Sequence, residues 1–98
     1  MKILVLGSGG REHAICASLA KSSKCKKIFA APGNAGIKQI AEIISLDIDK
    51  NEQIISFCLS EKIDLVVVGP EAPLVNGIVD ELEENNIRVF GPSKLASQ

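Results

Sequence analysis

Ile3-Leu4-Val5-Leu6-Gly7-Ser8-Gly9-Gly10-Arg11-Glu12-His13 decides the fold. Four consecutive apolar residues closed by glycine suit a strand buried on both faces, as in a parallel sheet covered by helices. The glycine-rich turn leads directly into a helical pattern from Arg11 to about Lys21, with Ala14, Ile15, Leu19 and Ala20 on one face. Working outward, Lys27-Ile28-Phe29-Ala30-Ala31 predicts a second strand stopped by Pro32-Gly33, and a weaker strand is expected near Ile43-Ile44-Ser45-Leu46. Between Asn51 and Ser60 the pairs Ile54/Cys58 and Ile55/Leu59 lie four apart, one face of a helix. The β-branched run from Ile63 to Val68 predicts the strongest strand and ends at Gly69-Pro70. Leu74, Val75, Ile78, Val79 and Leu82 form a helical stripe opposite Asp80, Glu81, Glu83 and Glu84; Ile87-Arg88-Val89-Phe90 is a last strand before Gly91-Pro92. Alternating strands and helices predict a three-layer α/β, Rossmann-like domain with a parallel sheet of about five strands.

Composition narrows the function. Ninety-eight residues make one domain, since domains run to ~50–250 residues. The 46% hydrophobic and 23% charged fractions are ordinary globular values, which excludes an intrinsically disordered chain. A net charge of -1 leaves no field to gather nucleic acid or anionic lipid, so neither is expected as a partner. With no Trp or Tyr and only three Phe, all in apolar runs, there is no stacking platform for single strands. Cys16, Cys25 and Cys58 are too widely spaced and too few for a disulfide framework or a zinc site, which points to a reduced, cytoplasmic setting. Cys16 and Cys58 lie on apolar helical segments and read as buried small hydrophobes. No apolar run approaches the ~20 residues of a membrane span.

The turns differ sharply between the two edges of the predicted sheet. Gly7, Gly9, Gly10, Gly33, Gly36, Gly69 and Gly91, seven of the eight glycines, and all four prolines fall at strand-to-helix junctions. Helix-to-strand junctions are plain polar turns such as Ser22-Ser23-Lys24 and Glu84-Asn85-Asn86. Ligands of such sheets bind beyond the carboxyl ends of the strands, where glycine lets main-chain amides come close. Gly7 to His13 places those amides at a helix N-terminus, an anion site. It is not the dinucleotide fingerprint: the third glycine of G-x-G-x-x-G would stand at position 12, which is Glu12. The second strand ends in Ala31-Pro32 where an acid would hold a ribose, and no P-loop pattern exists.

Arg11 opposes the helix dipole by its position, so it reads first as a phosphate clamp, with a solvated or salt-bridged surface arginine as the alternative. Glu12 reads as a cap of its helix or as a polar ligand contact, and both readings stand. His13, the single histidine, reads first as a structural hydrogen-bonding group. In Ala31-Pro32-Gly33-Asn34-Ala35-Gly36, Asn34 serves either a turn or a ligand hydroxyl. Glu71, just before a helix start marked by Pro73, reads first as a carboxylate for a substrate amine or sugar hydroxyls and otherwise as a helix-start acid. Lys21, Lys24, Lys26 and Lys27 cluster at a helix end and read as solvated surface.

Gly-Gly-Arg-Glu-His-Ala at 9–14, Ala-Pro-Gly-Asn-Ala-Gly at 31–36, Val-Gly-Pro-Glu-Ala-Pro-Leu at 68–74 and Phe-Gly-Pro-Ser at 90–93 occur in this order. Together they closely resemble the N-terminal domain of the phosphoribosylamine–glycine ligase (glycinamide ribonucleotide synthetase) family, along essentially the whole chain. The resemblance implies a pre-ATP-grasp lobe of an enzyme of de novo purine synthesis. There ATP phosphorylates glycine, the amine of 5-phosphoribosylamine attacks the acyl phosphate, and magnesium or manganese is required. It further implies that Gly9, Gly10, Arg11 and Glu12 cradle the 5-phosphate and ribose, with Asn34, Gly36, Gly69, Pro70 and Glu71 lining the rest. ATP-grasp lobes with their ATP and metal ligands have no counterpart here, and Lys94-Leu95-Ala96-Ser97-Gln98 reads as the start of another helix. The expectation is a fragment of a longer enzyme, without ligase activity alone and with no catalytic or metal-binding residue of its own. The alternatives are a nucleotide- or dinucleotide-binding domain of another ATP-grasp enzyme or of a dehydrogenase. A receiver- or flavodoxin-type module is disfavoured because the first strand ends in glycine, not acid.

Overall fold

The computed structural model describes residues 1–47, 50–69 and 77–90. They form β1 (Lys2–Gly7), α1 (Gly10–Ala20), β2 (Lys27–Pro32), α2 (Ala35–Lys38), β3 (Glu42–Ile43), α3 (Asn51–Glu61), β4 (Leu65–Val68), α4 (Ile78–Glu84) and β5 (Arg88–Phe90). The strands pair in parallel in the order β3-β2-β1-β4-β5. Each predicted strand is present, and the α/β class with it.

The apolar run of β1 is continuous because both its faces are covered. Ile3 and Val5 pack with Ile28, Ala30 and Val67 against Cys16 of α1 and Ile37 of α2. Leu4 and Leu6 face the other way, onto Ile54 and Cys58 of α3 and Ile78 and Leu82 of α4. On that second face Phe29 meets Phe57 edge to face, with ring centres 5.2 Å apart. Helices therefore lie on both sides of the sheet, α1 and α2 on one, α3 and α4 on the other.

Three elements depart from the periodicity. The edge strand β3 lies at Glu42–Ile43, earlier than the Ile43–Leu46 run, and pairs only with Phe29 and Ala30. Burial of Ile44 and Leu46 against the core, not pairing, explains the apolar letters that follow. The single helical turn α2 arises inside the expected loop because Asn34 caps it, its side chain accepting from Ile37 N at 2.8 Å. Helix α4 begins after Gly77, whose φ of 86° sets the entry; Leu74 and Val75 of the predicted stripe lie outside the described residues. So does the Gly91–Gln98 segment.

Strand order reverses direction at one place. From β1 the chain moves to β2 and β3 on one side, then returns through α3 to β4 on the other. The carboxyl ends of β1 and β4 thus flank a topological switch point, where open α/β sheets bind ligands.

Candidate functional site

Three strand ends are drawn level at that point. Gly69 N donates to Leu6 O at 3.0 Å, and Gly33 N donates to Gly7 O at 3.0 Å, so the exits of β4, β1 and β2 share one backbone frame. Gly7 has a φ of 135°, a value an L side chain rarely adopts, and this bend releases Ser8–Gly9–Gly10 toward α1. Helix α1 starts at Gly10, so by helix geometry its first N–H groups have no partner within the helix. Gly10 is exposed, and among the described residues outside its chain neighbours and its own helix backbone nothing would meet a Cβ there within 4 Å. Arg11 is exposed at the same corner.

Glu12 is not at the surface. Its side chain is 0% exposed and lies between the ends of β1 and β4. A Cβ on Gly7 would fall 2.7 Å from Glu12 Cδ, and one on Gly69 2.9 Å from Glu12 Oε2, so both strands end in glycine where this carboxyl group fits. Gly9 N donates to Oε1 at 3.4 Å, which is the cap, while Oε2 is buried and has no hydrogen-bond partner among the described residues. An unsatisfied buried acceptor is rare, because losing water without a replacement costs about 1–3 kcal/mol. The same carboxylate, after burial, helps push the thiol of Cys16 one turn further along α1 up to about 11.

Asn34 and Gly36 complete the corner from β2 and α2. Besides capping α2, Asn34 donates through Nδ2 to Ser8 O, tying the β2 exit to the glycine loop. Its turn role is therefore filled on both sides of the amide. A Cβ on Gly36 would be 3.3 Å from His13 Cε1, so the imidazole packs on that glycine. His13 is exposed, and no side-chain hydrogen bond joins it to another described residue, in contrast to its expected bonding role. The structure thus brings Gly9, Gly10, Arg11, Glu12, Asn34, Gly36 and Gly69 to one edge of the sheet; Pro70 and Glu71 lie outside the described residues. Sequence reasoning missed the pairing of Gly7 and Gly69 around Glu12. A glycine closing each of two strong strands was the available signal, but 61 intervening positions hid their common neighbour.

Chemically the corner offers main-chain donors, one guanidinium and one inward carboxylate, a set suited to an anion joined to a polar, hydroxylated body. Among the described residues no group of three His, Cys, Asp or Glu could hold a metal ion, and no helix is long and apolar enough to cross a membrane. The sequence profile of the family described as phosphoribosylglycinamide synthetase, N domain, matches residues 1–98. The chain belongs to that family.

Individual relatives agree. A phosphoribosylamine–glycine ligase of Caldanaerobacter subterraneus subsp. tengcongensis is 53% identical over 97 residues, covering 99% of this chain and 23% of its own length. One of Mesorhizobium japonicum is 56% identical over all 98 residues, again 23% of its length. The domain thus spans about a quarter of the relatives it matches. Among solved structures, phosphoribosylamine–glycine ligase of Thermotoga maritima superposes with a TM-score of 0.57 at 28% identity, over 97% of this chain and 20% of that one. Saccharopine dehydrogenase of Saccharomyces cerevisiae superposes at 0.69 with 18% identity, over 97% of this chain and 23% of that one, a likeness of fold alone.

Proposed function

We propose that this domain is the substrate-holding N-terminal lobe of an ATP-dependent ligase that joins glycine to 5-phosphoribosylamine, forming glycinamide ribonucleotide in purine biosynthesis. The observation that carries the proposal is the start of α1 at Gly10, beside the switch point, in a chain matched to that family along its whole length. The phosphate of the ribosylamine is held by the amides at Gly9 and Gly10 and by Arg11. Glu12, Asn34, Gly36, Gly69, Pro70 and Glu71 shape the remainder of the pocket. Glycine, ATP and the magnesium or manganese ion are handled by parts of the parent enzyme beyond this domain, so no step here runs through a metal. The domain alone carries no ligase activity, works in the cytoplasm, and has neither nucleic acid nor membrane as a partner.

Titrating the chain with ribose 5-phosphate under NMR observation tests this reading. Shifts should concentrate on Ser8 to Glu12, and Arg11→Ala should weaken binding by about 1.5–3 kcal/mol, the scale of a charge-assisted hydrogen bond. Tight binding of NAD, or ribose-phosphate shifts scattered over the helix-to-strand turns, would overturn it.

A further inference from the structure

We infer that Glu12 is a specificity-determining residue that closes the switch point to extended diphosphates and confines the site to a ligand with a single phosphate. The inference rests on the reading of the α1 N-terminus as a phosphate site. Three observations carry it. First, the carboxyl group stands between the carboxyl ends of β1 and β4, the two strands that flank the switch point. A diphosphate bridging two sugars crosses a doubly wound sheet at that crevice. Second, the room exists only because Gly7 and Gly69 both lack side chains, and Glu12 fills it to 0% exposure. The spacing Gly7-x-Gly9-x-x-Glu12 therefore departs from the dinucleotide arrangement at its third position alone: Gly7 ends β1, Gly9 caps α1, and the helix carries Glu12 where the third glycine would stand. Third, Glu12 Oε2 is buried without a partner among the described residues, while Oε1 accepts from Gly9 N. Its acceptor oxygens thus lie under the loop, and one of them already engages a loop donor, Gly9 N. A compact phosphate clamped at Gly10 and Arg11 stays on the outer side of that carboxyl group. A second phosphoryl group would have to sit against it. Rejection by a buried group that a competitor would have to displace or leave desolvated is a recognised route to specificity.

The test compares ribose 5-phosphate with ADP-ribose, a diphosphate joining two riboses, by calorimetric titration of the wild-type chain, Glu12→Gln and Glu12→Gly. Glu12→Gln keeps the volume and removes the charge. Glu12→Gly removes both and supplies the third glycine of the spacing. The wild type should prefer ribose 5-phosphate. In Glu12→Gly the ratio of the two affinities should move toward ADP-ribose by about tenfold or more, with Glu12→Gln between them. Thermal melts establish that each variant is folded, and Glu12→Ala replaces Glu12→Gly if the latter is not. An unchanged ratio in folded variants overturns the inference while leaving the phosphate site intact. Failure of the wild type to bind ribose 5-phosphate would instead overturn the functional reading beneath it, and a gain of ADP-ribose binding in Glu12→Gly would still support Glu12 as the barrier.

Discussion

The two rims of the sheet are built from the same strands and finished in opposite ways. At the amino-end rim every observed contact closes the structure on itself. The N-terminal ammonium of Met1 donates to Lys24 O at 2.9 Å, Lys26 N donates to Met1 O at 2.8 Å, and Asp64 Oδ2 accepts from Lys2 N at 2.7 Å. The partners are exposed, and water can replace any of them. At the carboxyl-end rim Asn34 ties Ser8 to α2, Gly33 and Gly69 tie the strand exits to β1, and Oε2 of the buried Glu12 has no hydrogen-bond partner among the described residues. Stability alone does not call for a carboxylate oxygen without a partner among the described residues at the junction of two strands, and this one stands at the rim proposed to hold the ligand.

The largest effect that can break this contrast is a methyl group at Gly69 or Gly7. Gly69→Ala drives a Cβ into the middle of the fully buried Glu12 side chain, and overpacking of this kind costs about 1–3 kcal/mol. Gly7→Ala adds to the same clash a dihedral strain of about 1–3 kcal/mol, so it should be the more damaging variant. Urea unfolding measures both. Combining each with Glu12→Ala separates the causes: the double variant should recover most of the loss at Gly69 and only part of it at Gly7. If Glu12→Ala rescues neither, the carboxyl group is not what the glycines accommodate.

These glycines also show what was readable in the letters and what was not. The β1 run, the helical stripes and the parallel alternation were legible because burial on a regular element leaves a period in the sequence. The edge strand was misplaced because Ile43, Ile44 and Leu46 are apolar for packing, and packing does not distinguish a paired residue from its unpaired neighbour. The turn at Ala35–Lys38 was missed since one cap, Asn34, and one buried residue, Ile37, make it, too little for a period. For the site, Gly9, Gly10 and Arg11 were legible as a loop entering a helix. The inward direction of Glu12 was not, because it depends on Gly69, a residue brought alongside only by the reversal of strand order.

A smaller effect separates the two thiols, one near each face of the sheet. Burial pushes Cys58 up to about 12, whereas Cys16 reaches about 11 through burial together with the Glu12 carboxylate and Cys25. Both stand above the ordinary value of 9.0, so in alkali the unfolded chain loses these protons before the folded one does. Stability should hold below pH 9 and fall above it, by about 1.4 kcal/mol per pH unit for each thiol until its folded value is reached. Urea midpoints measured from pH 8 to 10 give the slope. Replacing Cys58 with alanine should remove one thiol's share of the slope, and Glu12→Gln should lower the Cys16 value while leaving Cys58 unmoved. A flat profile would mean that both thiols are as well hydrated as in the unfolded chain.

The smallest effect compares like with like across the rims. Asn34 caps α2 through Ile37 N and also holds Ser8 O, whereas Ser22 Oγ accepts from Lys24 N at 3.3 Å in an exposed turn. Each is a single polar side chain bonded to nearby backbone, yet only the first joins two elements. Asn34→Ala should cost about 1 kcal/mol, the usual worth of an N-cap, and should also loosen the glycine loop. Ser22→Ala should stay within about 0.5 kcal/mol of the wild type, as surface changes do. Amide exchange at Ser8 to Gly10 distinguishes the two outcomes: faster exchange in Asn34→Ala alone shows that the carboxyl-end rim is held together as a unit. Equal exchange in both variants would reduce Asn34 to an ordinary cap, and the difference between the rims would then rest on Glu12 and its two glycines.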